Sequence, residues 1–166
     1  MILAMIAGLF LALCVFAALH DVNRLTIPNW LNVTLAVLFV PAAFVSGVPM
    51  EIIGGHLITA LCAFLIAFDI VGGGDAKMIP AVMLWVGPSA SITFLFVMAV
   101  AGGACAILII LVRKTMPVEV VPGAVRAPFE EKAGVPYGVA IAAGVFAAGP
   151  QSPFLTDVLS RISLFS

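Results

Sequence analysis

The chain has 166 residues, of which 64% are hydrophobic and only 9% charged, and its formal net charge is −1. A soluble domain usually carries about a quarter charged residues, so this composition excludes a water-covered globular surface. The charge balance gives no indication of a nucleic-acid partner. In lipid, helices and closed barrels satisfy the backbone, and long unbroken apolar runs favour helices. We predict an all-α polytopic membrane helix bundle that forms a single domain over residues 1–166.

Six apolar segments are predicted to cross the membrane. The first has no charge before Asp21 and is too long for the apolar part of a signal peptide, so we expect it to be retained. The fourth ends at Gly87-Pro88-Ser89, and it is short for a crossing, as is the sixth. The predicted transmembrane helices are residues 1–19, 30–48, 52–68, 76–86, 89–112 and 136–149.

The basic residues predict the orientation. Arg24 follows the first span, Lys77 lies at the start of the fourth, and four basic residues lie in the loop 113–134. Basic loops face the cytoplasm, so 113–134 is predicted to be a cytoplasmic loop and both termini to lie outside. Residues 152–165 carry apolar residues at helical spacing, which predicts an amphipathic helix lying in the interface or packing on the bundle.

Two aspartates are the candidate functional residues. Asp21 ends the first span and Asp75 begins the fourth, with two complete spans between them, so parity predicts both on one membrane face. Ionisable residues at membrane depth are costly and are candidates for function. Two carboxylates that meet can share a proton, one activating water and the other protonating the leaving group. The pattern indicates peptide hydrolysis without a metal or cofactor; two unrelated, solvated acids are the alternative.

Three glycines, Gly72-Gly73-Gly74, directly precede Asp75. Glycine lets the backbone bend freely and approach another chain closely. Such a segment gives a substrate backbone access to the site, and a flexible turn between spans is the alternative interpretation.

Three stretches of the sequence resemble the type IV prepilin peptidases, which are GxGD-type membrane aspartyl proteases. The three stretches are Asp21-Val22-Asn23-Arg24-Leu25-Thr26-Ile27-Pro28-Asn29, Gly72-Gly73-Gly74-Asp75-Ala76-Lys77-Met78, and Val135-Pro136-Tyr137-Gly138. The last of these is a weaker match than the other two.

This resemblance implies that Asp21 and Asp75 are the catalytic pair. It implies cleavage of a short basic leader from pilin precursors at the cytoplasmic side of a prokaryotic inner membrane. The implied partners are membrane lipid and a prepilin with a basic leader and an apolar helix. The chain resembles the short form associated with Flp/Tad-type pili and lacks the cysteine-bearing segment of larger members, so we expect no N-methyltransferase activity.

Helix dipoles suggest a division of labour between the two acids. Asp75 is predicted near a helix N-terminus, which favours the anion, and Asp21 near a helix C-terminus, which disfavours it. This makes Asp75 the hypothetical base and Asp21 the protonated acid.

The other residues of the motifs have two interpretations each. Lys77 and Arg24 either contact a carboxylate or anchor the chain at the cytoplasmic face. Pro28 and Asn29 are expected to shape and cap the start of the second span. Pro136, Tyr137 and Gly138 are assigned to site shaping by the resemblance.

The cysteines and histidines are predicted to serve packing. Cys14, Cys62 and Cys105 are isolated in apolar runs, which predicts buried thiols without a disulfide or zinc site. His20 and His56 are predicted at opposite ends of the bundle, each hydrogen-bonded, and not as a metal pair.

Two other functions fit the same acids. One is a membrane carrier or proton relay that uses Asp21 and Asp75, and the other is an assembly protein without catalysis. Carrier sites usually lie near the bilayer midplane, whereas these acids are predicted at one edge, so the peptidase is the preferred hypothesis.

Overall fold

The computed structural model describes residues 1–70, 74–117, 120–130 and 133–156, with the side chains of residues 66–70, 74–76 and 124 outside this description. Within these ranges the regular secondary structure is helical. The α-helices are α1 Ile2–Arg24, α2 Asn29–Ser46, α3 Met50–Ile70, α4 Gly74–Thr115 and α5 Tyr137–Ala148. Short 3-10 helices are described at Gly123–Val125, Ala127–Phe129 and Gly149–Gln151.

The outer surface of the bundle is strongly apolar. Phe44 is 85% exposed and Ile92 83% exposed, an arrangement that lipid solvates and water does not. Helices α1 and α2 and the segment Lys77–Thr115 are each long and apolar enough to cross a membrane, and Met50–Leu65 is a shorter apolar helix. The predicted all-α membrane fold is confirmed. Six crossings with both termini outside stay a prediction.

Helix α4 is interrupted at Gly87, whose φ of 70° and ψ of −179° are not helical. The positive φ explains the glycine, because other residues rarely adopt it. The interruption divides α4 into a first arm, residues 74–86, and a second arm, residues 88–115. It falls inside the predicted boundary Gly87-Pro88-Ser89.

The two arms of α4 run in opposite directions. In the first arm, Lys77 hydrogen-bonds to Asn29 at the start of α2. In the second arm, a Cβ on Gly102 would lie 3.4 Å from the ring of Tyr137 at the start of α5. Both contacts lie at the end of the bundle where α1 finishes, whereas Gly87 lies at the other end against His56 of α3. The chain therefore reverses direction at Gly87.

Two side chains complete the hydrogen bonding around this reversal. Pro88 has no N–H, so the Leu84 carbonyl four residues earlier lacks its helical donor. The Nδ1 atom of His56 lies 2.8 Å from that oxygen, and the Ser152 hydroxyl donates to the next carbonyl, of Trp85, at 2.5 Å. His56 is thus a hydrogen-bonded bundle residue, as predicted.

An aromatic layer packs at the same level. The rings of Phe10 and Trp85 stack with centroids 4.2 Å apart, and Phe154 lies 5.0 Å from Phe39 in an edge contact. The indole N–H of Trp85 donates to the Leu35 carbonyl at 2.9 Å. Because Phe154 is buried here, the start of the predicted tail helix 152–165 packs on the bundle. The rest of that tail, residues 157–165, lies outside the described residues.

The cysteine prediction is correct for one residue and wrong for two. Cys14 is buried, but Cys62 is exposed and Cys105 is partly exposed, and all three are free thiols. The physical reason is that an apolar run looks the same whether a position faces the core or lipid.

The described part of the loop 113–134 is folded against the bundle. Arg113 at the end of α4 donates through Nη2 to the carbonyls of Pro128 at 2.5 Å and Ala133 at 2.8 Å. Arg126 donates to the Val121 carbonyl through Nε and Nη2. Pro128 is buried. Arg113 and Arg126, two of the basic residues used above to predict the orientation, thus also bind backbone carbonyls of the loop.

Candidate active site

Asp21 lies in the last turn of α1 and is only 1% exposed. Its carboxyl oxygen Oδ2 accepts a hydrogen bond of 2.7 Å from the backbone N–H of Gly138, the second residue of α5. The first turn of a helix has backbone N–H groups without an intrahelical acceptor. The carboxyl group of Asp21 supplies that acceptor and so docks α5 onto α1.

The contact leaves little room for a side chain at position 138. A Cβ there would lie 3.0 Å from the Cβ of Asp21, 3.1 Å from its Oδ2 and 3.3 Å from the carbonyl oxygen of Ala17. Pro136 precedes it as the N-cap of α5 and is buried. The sequence marked Pro136 and Gly138 as site-shaping residues, and the structure gives Gly138 a direct contact with Asp21.

This geometry changes the dipole argument. The sequence placed Asp21 at a helix C-terminus, but its carboxyl group also faces the N-terminus of α5, which favours an anion. Each acid is therefore close to a helix N-terminus, because Asp21 contacts the first turn of α5 and Asp75 is the second residue of α4. The helix dipoles therefore no longer distinguish the two aspartates. The assignment of Asp75 as the base and Asp21 as the acid loses the dipole argument on which it was based.

A second contact joins the first two sequence motifs. The ammonium of Lys77 donates to Oδ1 of Asn29 at 3.3 Å. Pro28 and Asn29 were expected to shape and cap the start of α2. Pro28 occupies the N-cap position and Asn29 is the first residue of the helix, but no side-chain hydrogen bond caps it. The carboxamide of Asn29 points instead to α4, so the starts of α2 and α4 are neighbours.

The second aspartate is described by its backbone. Gly74 and Asp75 are the first two residues of α4, in the same turn as Lys77. Gly72, Gly73 and the side chain of Asp75 lie outside the described residues. The contact of Lys77 brings the start of α4 to the end of the bundle that holds Asp21, and a meeting of the two carboxyl groups stays a prediction.

A family model for the type IV leader peptidase family matches residues 8–107, more than half of the chain and including both aspartates. The chain belongs to the type IV leader peptidase family. It is therefore a membrane protease, and the family implies a prokaryotic membrane and a prepilin-like substrate. No curated protein and no solved structure gives a significant match.

In this leader peptidase, the region that the family model matches ends before α5, the helix that completes the surroundings of Asp21. Gly138 lies beyond residue 107, and it donates the hydrogen bond that fixes the carboxyl group. Tyr137, also in this segment, is 47% exposed beside it. The candidate site therefore draws on α5 as well as on the helices that carry the aspartates.

The remaining predicted residues lie around the same end. Arg24 is exposed in the last turn of α1, and Pro28 is half-buried before α2. His20 lies beside Asp21 in sequence, and its Nδ1 is 2.8 Å from the carbonyl of Thr26, in the connection from α1 to α2. His20 is thus hydrogen-bonded, as predicted, and it orders the chain between the two parts of the first motif.

Proposed function

We propose that this leader peptidase is an aspartyl endopeptidase that cleaves the short basic leader from Flp/Tad-like prepilins at the cytoplasmic face of the inner membrane. Asp21 and Asp75 activate the water, and the chain carries out no N-methylation. The observation that carries the proposal is the buried carboxyl group of Asp21, held by Gly138 at the end of the bundle where α4 begins with Gly74-Asp75.

The hydrogen bond from Gly138 supports a defined role for each oxygen of Asp21. Oδ2 is occupied by the N–H donor, and Oδ1 accepts no hydrogen bond from a described residue. Oδ1 is therefore the oxygen that can share a proton or a water with Asp75. In the proposed step, water attacks the scissile carbonyl and gives one proton to the ionised carboxylate. The protonated carboxyl donates to the carbonyl oxygen, and the leaving nitrogen then takes a proton as the C–N bond breaks.

The apolar exterior supports a substrate that is itself held in lipid. A prepilin with a basic leader and an apolar helix keeps the leader in the cytoplasm by the same charge rule that predicts the orientation of this chain. Its scissile bond then lies at the membrane edge, at the depth predicted for the two aspartates.

The test is co-expression of the full chain with a candidate prepilin. The loss of the leader is measured by mass spectrometry of the prepilin. Asp21→Asn and Asp75→Asn are each expected to abolish processing while the protein remains in the membrane. Glu51→Gln is the matched control, because Glu51 is an exposed acid at the start of α3, at the other end of the bundle. It is expected to process at the wild-type rate.

Full processing by either aspartate variant would reject the two-aspartate mechanism. The alternative carrier or proton relay predicts ion-dependent uptake that needs Asp21 and Asp75, with no cleavage of any prepilin. N-methylation of the new pilin terminus in the same mass spectrum would contradict the proposed absence of that activity.

A further inference from the structure

The connection from α1 to α2 begins with a strained residue. Leu25 follows the last residue of α1 and has a φ of 52° and a ψ of 36°, in the left-handed region that glycine enters freely and that costs other residues free energy. Helices that end in this conformation usually carry glycine there. Leu25 is the only non-glycine residue with a positive φ in the part of the chain that the structure describes. The surroundings therefore hold this turn in place.

Contacts on both sides of Leu25 hold the turn. The N–H of Leu25 donates to the backbone carbonyl of Asp21 at 2.7 Å. The Nδ1 atom of His20 lies 2.8 Å from the Thr26 carbonyl, and because a carbonyl only accepts, Nδ1 carries the hydrogen. The next residue, Ile27, is 4% exposed and packs in the core. Among these contacts, the imidazole of His20 supplies the side-chain hydrogen bond, so a substitution there weakens the turn without altering the core.

The ring of His20 is held by aromatic neighbours. Phe16 lies one turn earlier in α1, and its ring centroid is 6.0 Å from that of His20 and 6.2 Å from that of Trp30. Trp30 belongs to α2, so this aromatic packing joins the two helices that the connection links. The imidazole is thus oriented toward Thr26 before the hydrogen bond forms.

The turn is tied to both aspartates. Asp21 directly follows His20, and its backbone carbonyl is bound by the turn. At the other end of the connection, Asn29 accepts a hydrogen bond from Lys77, two residues after Asp75 in the first turn of α4. The turn therefore links the backbone of the first aspartate to the helix start that carries the second. Catalysis is sensitive to shifts of about 1 Å in such a pair.

We propose that His20 is a positioning residue for the two-aspartate reaction. Its hydrogen bond to Thr26 holds Leu25 in the left-handed conformation, and the held turn sets the position of the start of α4 relative to Asp21. The imidazole acts as a fixed donor and exchanges no proton with Asp21. The inference rests on the proposed peptidase function and adds to it a residue outside the matched motifs.

The first test replaces the donor in the full chain in lipid nanodiscs, with kcat and KM measured for leader cleavage and normalised to folded protein. His20→Ala is expected to lower kcat about fivefold, the effect of one lost hydrogen bond, and to keep KM within about twofold. His20→Asn should retain most of the wild-type kcat, because its amide nitrogen branches from the same carbon as Nδ1 and donates without ionising. His20→Gln is the matched comparison, since its amide lies one carbon further out, and it should behave like His20→Ala.

The second test removes the strain in the His20→Ala background. Leu25→Gly and Leu25→Ala both delete the leucine side chain, but glycine alone adopts the left-handed conformation without steric cost. Leu25→Gly should restore kcat to within about twofold of the wild type, whereas Leu25→Ala should leave it at the His20→Ala level. Hydrogen exchange of the amide of residue 25 reports on the turn independently of activity. It should be faster in His20→Ala than in the wild type and slow again in His20→Asn.

Three results would overturn the positioning role while the proposed function stands. The first is a wild-type kcat or wild-type amide exchange in His20→Ala. The second is a loss of activity in His20→Asn equal to that in His20→Ala, which would assign His20 to proton exchange. The third is equal activity of the Leu25→Gly and Leu25→Ala double variants, which would separate His20 from the strained turn. A wild type that cleaves no candidate prepilin would instead overturn the proposed function and the catalytic part of this inference with it, while amide exchange would still test the hydrogen bond.

Discussion

The backbone N–H of Gly138 and the carboxyl oxygen Oδ2 of Asp21 are joined by a 2.7 Å hydrogen bond across 117 positions of sequence. The bond links the last turn of α1 to the first turn of α5. Because a buried carboxyl group without a donor is costly, this contact supports both the packing of α5 and the orientation of Asp21. A change at Gly138 therefore acts on the candidate catalytic group directly.

Gly138→Ala is expected to lower kcat/KM by about tenfold or more, because the added methyl group would press on Asp21 and shift its carboxyl group. The Cβ would meet the Asp21 Cβ at 3.0 Å and the Ala17 carbonyl at 3.3 Å. Leader cleavage by purified protein in lipid, normalised to the amount of folded protein, measures the effect.

The control for this change is Gly103→Ala, because a Cβ at Gly103 meets nothing within 4 Å. It should cleave like the wild type. Unchanged activity in Gly138→Ala would show that the position of Asp21 set by α5 is not needed for catalysis.

Arg113→Met is expected to release the loop that leads into α5. Arg113 donates to the carbonyls of Pro128 and Ala133, and leaving such acceptors without a donor costs about 1–3 kcal/mol. Proteolysis between residues 116 and 136 should become faster and kcat/KM should fall, because this segment leads into the start of α5, where Gly138 contacts Asp21.

Arg113→Lys keeps the charge but lacks the planar array of donors, so an intermediate effect on proteolysis is expected. Lys114→Met removes an exposed charge one residue away and should change neither measurement. Wild-type proteolysis in Arg113→Met would contradict the role of this side chain.

His56→Ala is expected to lower the free energy of unfolding by about 1–3 kcal/mol, because the Leu84 carbonyl at the reversal of α4 loses its partner. The cleavage rate per folded molecule should stay within about twofold of the wild type, since His56 lies far from Asp21 and at the other end of the bundle. Denaturant unfolding in detergent and the leader assay measure the two quantities.

Thr59→Ala is the comparison for His56→Ala, since the Thr59 hydroxyl donates within α3 to the Gly55 carbonyl and its loss should destabilise less. A His56→Ala protein of normal stability with lost activity would make His56 a functional residue and reject its structural role.

The predicted orientation can be tested with single cysteines after Cys14, Cys62 and Cys105 are replaced by alanine. Glu51→Cys, at the start of α3, should react with a membrane-impermeant maleimide in intact spheroplasts. Gly123→Cys, in the loop 113–134, should react only after permeabilisation, since that loop is predicted to be cytoplasmic. Both positions are exposed. Equal labelling of the two in intact spheroplasts would contradict the six-span arrangement.

The helices were predictable because lipid requires backbone hydrogen bonds to be satisfied within the segment, so apolar runs are read as helices. Their ends were less predictable: α1 continues to Arg24, beyond the predicted limit at residue 19. Polar residues at the membrane edge extend a helix without adding hydropathy. The reversal at Gly87 was predictable, because glycine and proline together mark it.

The side-chain contacts were harder to predict. Apolar sequence does not separate lipid-facing from core positions, which is why Cys62 was misplaced. The donor from Gly138 is a backbone group, and sequence does not show which carboxyl group it will meet. Arg113 was used only to predict which side of the membrane the loop faces. Its hydrogen bonds depend on how the loop folds, and a count of basic residues does not contain that information. The pairing of Lys77 with Asn29 joins residues 48 positions apart and had no signal in either motif alone.

The bracing of the reversal at Gly87 has a consequence for biogenesis. Ser152 and Phe154 belong to the segment after α5, yet they hold Trp85 of the first arm in place. A ribosome makes them well after the arm that starts with Gly74-Asp75. The first arm of α4 therefore gains these contacts only after α5 and residues 152–154 have been made.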